Sequence, residues 1–283
     1  MSTYQPSYIE PSPDSPQQLP TKGASVQPMD GGDYTPLHLA ALNCQTRTVL
    51  DLIRSGAPIE ATDRNNNTPL HLAAQSGHAG IVGILLRKGA SVEAENDDKY
   101  TPLHHAAKFG DTRMVGLLLR NGAPIGAMDQ GNDSPLHLAA KRGNIAMMEL
   151  LLRKGAPVEA MDTDNNTPLH LAIQSGYPAI VELLLRKGAS AGALDKDNNA
   201  PLHLAVAKGY NVIASLLLDK GASIEARSKN WSTPLHLAVH SGHTSTVELL
   251  RNRGARTGAP DGDNNTPLDL PQRNGNFAIV NLL

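Results

Sequence analysis

The chain of 283 residues sets 25 Lys and Arg against 27 Asp and Glu, a formal net charge of −2, which argues against direct electrostatic binding of nucleic acid. Hydrophobic residues make up 40% of it but aromatics only 3%, so the apolar content is mostly Leu, Ala, Ile and Val, which suits small repeated helices better than an aromatic-filled barrel. The single cysteine, Cys44, excludes an internal disulfide and a Cys-based zinc cluster and fits a reducing compartment.

In chain order, residues 1–30 come first. Residues 1–29 hold six prolines and five serines and one basic residue, Lys22. Such a composition buries too little apolar surface to fold, and a disordered, solvated Pro/Ser-rich tail is expected. Two further readings stay open: Ser12-Pro13 and Ser15-Pro16 suit a proline-directed kinase, and Pro13 to Pro16 suits a polyproline II ligand of an SH3-like groove. The opening MSTYQPSYIEPSP has neither a basic n-region nor an apolar h-region, so a secretory signal is not expected. Apolar runs farther along, such as Leu183-Leu184-Leu185, fall far short of the ~20 residues of a membrane helix.

From residue 31 onward one pattern repeats. Pro-Leu-His-Leu or a near copy starts at Pro36, Pro69, Pro102, Pro135, Pro168, Pro201, Pro234 and Pro267, always 33 residues apart. The second unit reads physically as two helices. Thr68 is the N-cap of the first, Pro69 occupies the first helical position, and Leu70, Ala73 and Ala74 give it a short apolar face. Gly77 ends it in a left-handed conformation. Ile81, Val82, Leu85 and Leu86 mark a second amphipathic helix, which Gly89 stops, and Ser91 to Ala94 is expected to run extended into the next loop. Asp63 and Asn65 to Asn67 are turn-formers. No unit buries its apolar face alone, so neighbours must stack.

The segment TPLHLAAQSGHAGIVGILLRKGASVEA resembles an ankyrin repeat almost letter for letter, and the resemblance covers residues 31–283. It implies an all-α solenoid of helix-turn-helix units with β-turn loops, divided at about 31–63, 64–96, 97–129, 130–162, 163–195, 196–228, 229–261 and a partial 262–283. Three departures stand out. Cys44 replaces the mid-repeat glycine, where a left-handed cysteine would be strained, so the first helix is expected to end differently. Arg251 occupies a slot that is Leu or Ile in the first six units. In the last unit the His slot is Asp269 and Pro271 falls inside the first helix. Both a solvated capping unit and a truncated end fit these changes.

Candidate chemistry is sparse. His38, His71, His104, His137, His170, His203 and His236 share one slot. Stacked helices hold equivalent atoms about 10 Å apart, whereas metal ligands converge within ~2.1 Å of one ion, so the slot is structural. By the resemblance, this histidine hydrogen-bonds within the turn. His78, His105, His240 and His243 are read as surface or packing residues. Asp63, Asp129, Asp162, Asp195 and Asp261 recur at one slot and suit turn capping, since the loops lack the glycine and distal Glu of a calcium hand. There is no Walker loop or H-E-x-x-H motif, so no enzyme, metal or cofactor is expected.

A surface remains. The resemblance implies a concave groove lined by loop tips, which lean acidic, and first-helix ends, which lean basic. The candidate partner-binding residues are Tyr34, Arg64, Tyr100, Lys108, Phe109, Lys141, Arg142 and Trp231. Tyr100 and Phe109 are expected to be neighbours, with Lys141 and Arg142 beside them, and Trp231, in a turn position usually Gly or Asn, to be partly exposed. Tyr177 and Tyr210 follow a mid-repeat glycine and are expected to pack between helices. The expected function is a non-catalytic, monomeric scaffold or adaptor for a protein partner, cytoplasmic or nuclear, without contact to nucleic acid or membrane. The alternatives are a transcription coregulator acting through DNA-bound factors and a regulatory fragment of a larger enzyme.

Overall fold

The computed structural model describes residues 34–270 and 277–283. The expected tail and the position of Pro271 lie outside them. Fourteen helices follow in pairs: α1 (Pro36–Leu42) and α2 (Thr46–Arg54), α3 (Pro69–Gln75) and α4 (Ala79–Arg87), α5 (Pro102–Phe109) and α6 (Thr112–Arg120), α7 (Pro135–Arg142) and α8 (Ile145–Arg153). Then come α9 (Pro168–Gln174) and α10 (Pro178–Arg186), α11 (Pro201–Ala207) and α12 (Asn211–Asp219), and α13 (Pro234–His240) and α14 (Thr244–Asn252), before a last turn at Phe277–Val280. No strand occurs among the described residues.

Helices of seven to nine residues are marginal alone, so their stability must come from packing. Each odd helix packs on its even partner and on the next odd helix, while the even helices touch one another more sparsely. The closer odd layer bends the stack, with the odd helices on its inner side. Paired alanines such as Ala73–Ala74 and Ala106–Ala107 are wholly buried between odd helices and let the backbones approach. The slot after the proline of each of the seven odd helices, Leu70, Leu103 and Leu136 among them, is a fully buried leucine, contributing about 1.5–3 kcal/mol per side chain.

Each odd helix begins with a bond from the backbone N–H of its N-cap residue to the slot histidine, and all but α11, whose N-cap is Ala200, add a hydroxyl beside the same nitrogen. In α7, Ser134 N–H donates to His137 Nδ1 at 3.0 Å, and the Ser134 hydroxyl lies 2.9 Å from the same nitrogen. Because Nδ1 accepts, Nε2 carries the proton, and it donates to Asn166 O of the next pair at 3.1 Å. The same bond to the following pair is made by His38, His71, His104, His203 and His236. The slot histidine therefore caps its own helix and also staples the next unit, a longer reach than the turn itself. Burial first of all lowers the pKa of all seven slot histidines and keeps them neutral.

The loops are turns capped by the recurrent aspartate. Asp63 Oδ1 accepts from Asn65 N–H at 2.9 Å and Asn67 N–H at 2.8 Å. One backbone bond then links each loop to the one before: Asp97 N–H to Asn65 O at 3.0 Å, Gln130 N–H to Asp98 O at 2.8 Å, Thr163 N–H to Gly131 O at 3.0 Å. The turn needs a left-handed residue, and Asn66, Asn132, Asn165, Asn198 and Asn264 supply it, as do Lys99 and Trp231.

Two local expectations are corrected. Cys44 is left-handed (φ 58°), so α1 ends as its neighbours do. The cysteine is exposed, and the reversal into α2 imposes the conformation. Ser91 to Ala94 is a turn about Val92–Glu93, closed by Ala94 N–H to Ser91 O, because the chain must fold back before the next loop. At the other end, Asp269 takes the histidine's place, accepting from Thr266 N–H at 2.8 Å and from the Thr266 hydroxyl at 2.6 Å. Arg251 reaches out to the backbone carbonyl of Leu282.

Candidate functional site

The inner wall has a register of its own. In the third, fourth and fifth pairs the residue two before the helix-initial proline faces the residue six after it. Asp133 and Lys141 form an ion pair at 2.5 Å, and Gln174 Nε2 donates to Asn166 Oδ1 at 3.2 Å. In the third pair the same slots hold Tyr100 and Lys108, with the ammonium over the ring, 5.2 Å from its centroid. Tyr34 occupies the equivalent slot in the first pair, its ring 6.1 Å from His38.

Tyr100 is held from several sides. His71 Nε2 donates to its carbonyl at 3.0 Å, and its N–H donates to Asn96 Oδ1 at 2.8 Å. Its ring packs on His104 at 5.4 Å and on His105 at 5.3 Å. Burial, then the carboxylates of Asp129, Asp133 and Asp98, push its phenol up to about 12. It is a neutral, anchored aromatic with Lys108 across one face.

His105 is the residue that sequence reasoning passed over. It stands where the other units have Leu39, Leu72, Leu138, Leu171, Leu204, Leu237 and Leu270. Neither of its ring nitrogens has a hydrogen-bond partner. Burial, reinforced by His71, Lys108 and His104, lowers its pKa to about 3. Asp133 Oδ1 is likewise buried without a partner. Among the described residues, four buried side-chain polar atoms lack a partner, and three of them lie in this Tyr100–His105–Asp133 region. The signal was present in the sequence: one histidine in a column of seven leucines.

The remaining candidates fall elsewhere. Phe109 makes no ring contact with Tyr100 and is exposed, because it ends α5 one residue beyond the inward-facing slot that Lys108 takes. Arg142 occupies the corresponding outward position in α7 and is also exposed. Lys141, by contrast, lies on the inner wall with Asp133. Arg64 and Trp231 sit in the loop turns. Trp231 is 64% exposed with φ 59°, and its carbonyl accepts from Arg227 at 2.6 Å. Tyr210 packs against the core, and Tyr177 lies over Gly143 with its outer edge in solvent.

No group of three or more His, Cys, Asp or Glu side chains among the described residues is placed to hold a metal ion, and no helix among them is long and apolar enough to cross a membrane. A family model described as ankyrin repeats (3 copies) matches the chain in overlapping stretches at residues 17–96, 37–129, 103–195, 136–230 and 202–283. No curated protein matches it.

Proposed function

The chain belongs to the ankyrin-repeat family, whose repeats are generally protein-binding modules, and on that premise we propose that it is a non-catalytic scaffold or adaptor that holds a partner protein against its inner wall. The observation that carries this reading is the third helix pair. There an anchored aromatic, a cation and two buried, unpartnered imidazole nitrogens replace the leucine and the simple polar pairs of the other units. Aromatic and cationic anchors on a rigid scaffold are the usual chemistry of binding hot spots. A stack of short helices offers a long wall rather than an enclosed pocket, which suits a macromolecule.

The test is capture of partners with the full chain, followed by affinity measurement on one purified partner. Tyr100→Ala with Lys108→Ala should weaken that complex by about 2 kcal/mol or more, roughly thirtyfold. An affinity unchanged by the double substitution refutes the assignment.

A further inference from the structure

We propose that the helix-hairpin edge of the stack, from the third to the sixth pair, is a second docking surface, and that its occupant is an acidic, apolar-bearing segment of a partner protein. This edge is separate from the inner wall.

The hairpin turns abut one another. In each pair the residue after the mid-pair glycine lies over the glycine of the pair before. A methyl group on Gly110 would meet the Asn144 amide at 2.5 Å, one on Gly143 the Tyr177 ring at 2.6 Å, and one on Gly176 the Tyr210 ring at 3.1 Å. The turns thus form one continuous strip. Along it stand Phe109 (56% exposed), Ile145 (43%), Tyr177 and Val212 (66%), one from each of four successive pairs. Half of the large apolar side chains that are exposed among the described residues therefore stand at these four turns.

The charges on the strip are mainly positive. Arg113, Arg142 and Lys208 are exposed and form no ion pair among the described residues. The one carboxylate, Asp111, is committed to the start of α6, accepting from Arg113 N–H and Met114 N–H at 3.0 Å. The strip has limits: the equivalent turns of the second and seventh pairs, Ser76-Gly77-His78 and Ser241-Gly242-His243, carry no Lys, Arg, Asp or Glu and none of the exposed apolar side chains. Three unpaired cations among four apolar side chains, on a chain of net charge −2, complement a short acidic segment. They are too few for a nucleic-acid backbone. At about 10 Å per helix, three repeat spacings need roughly 30 Å of partner, about 9 residues if extended or about 20 if helical.

The probe is a displayed library of random peptides of about 20 residues, matched to that helical length. It is panned on the full chain, and the selected peptides are resynthesised. Two variants test the strip: Phe109→Ser/Ile145→Ser/Val212→Ser removes its apolar side chains, and Arg113→Glu/Arg142→Glu/Lys208→Glu inverts its charge. All six positions are exposed, and circular dichroism verifies that each variant is folded. The expected peptides are net acidic with spaced apolar residues. They lose at least about tenfold in affinity on either variant, keep it on Tyr100→Ala, and weaken with added salt. Neutral or basic selected peptides, no enrichment, or binding indifferent to both strip variants overturns the proposal. Peptides lost only on Tyr100→Ala overturn it while leaving the inner-wall reading in place. Strip-dependent sedimentation with phosphatidylserine vesicles, without acidic peptides, overturns it in favour of a membrane.

Discussion

His105→Leu should stabilise the protein, and the gain should grow in acid. Two imidazole nitrogens are buried without partners, and leaving a buried polar group unsatisfied costs about 1–3 kcal/mol. Leucine at the equivalent Leu72 and Leu138 is buried between neighbouring helices, so the substituted side chain has a shape the stack already accommodates. Together these favour the variant by about 2–3 kcal/mol near neutral pH. In thermal unfolding that is an increase of roughly 5–10 °C. The pH dependence follows from linkage. The unfolded imidazole titrates near 6.5 and the folded one at about 3, so between those values the unfolded chain holds a proton that the folded chain does not. The contribution of His105 to wild-type stability therefore falls as pH drops through 6.5, by up to about 1.4 kcal/mol per pH unit, and levels off below about 3. From about pH 7.5 to about pH 5, His105 alone should cost the wild type about 2 kcal/mol. The five slot histidines that do not act on His105 shift in the same direction in both proteins and cancel in the difference. Urea unfolding at both pH values, followed by circular dichroism and Trp231 fluorescence, measures the gap. A variant less stable than wild type, or a gap that does not change with pH, would show that the imidazole is satisfied or charged where it sits.

His137→Ala removes the acceptor for Ser134 N–H and the donor to Asn166 O, so it should cost about 2–4 kcal/mol in urea unfolding; a loss below about 1 kcal/mol would deny the staple. Gly143→Ala should destabilise more than Gly155→Ala, since both are left-handed but only the first places a methyl group against Tyr177, and Tyr177→Ala should recover the difference in the double variant. Trp231→Asn should stabilise by about 1 kcal/mol, read by circular dichroism, because asparagine tolerates the φ of 59° better and the exposed indole contributes little packing. Lys141→Ala should change stability by less than about 1 kcal/mol, since its ion pair with Asp133 is exposed on the lysine side; a larger loss would show that the pair organises the inner wall.

The repeat period, the helix pairs and their capping chemistry were legible in the sequence, because each depends on residues close together in the chain. Thr68, Pro69 and Gly77 set a helix's ends through local backbone geometry, and Leu70, Ala73 and Ala74 mark its buried face. Asp63 declared its turn for the same reason. What depended on how the elements pack on one another was not legible. The bond from His71 to Tyr100 O spans 29 residues, the left-handed Cys44 follows from the reversal into α2, and the pairing of Lys108 with Tyr100 instead of Phe109 follows from which side of α5 faces inward. His105 shows the division most clearly. Its departure from leucine was written in the sequence, but only the packing of its neighbours deprived both ring nitrogens of partners, because burial and hydrogen-bond satisfaction are properties of the stacked units and not of any one of them.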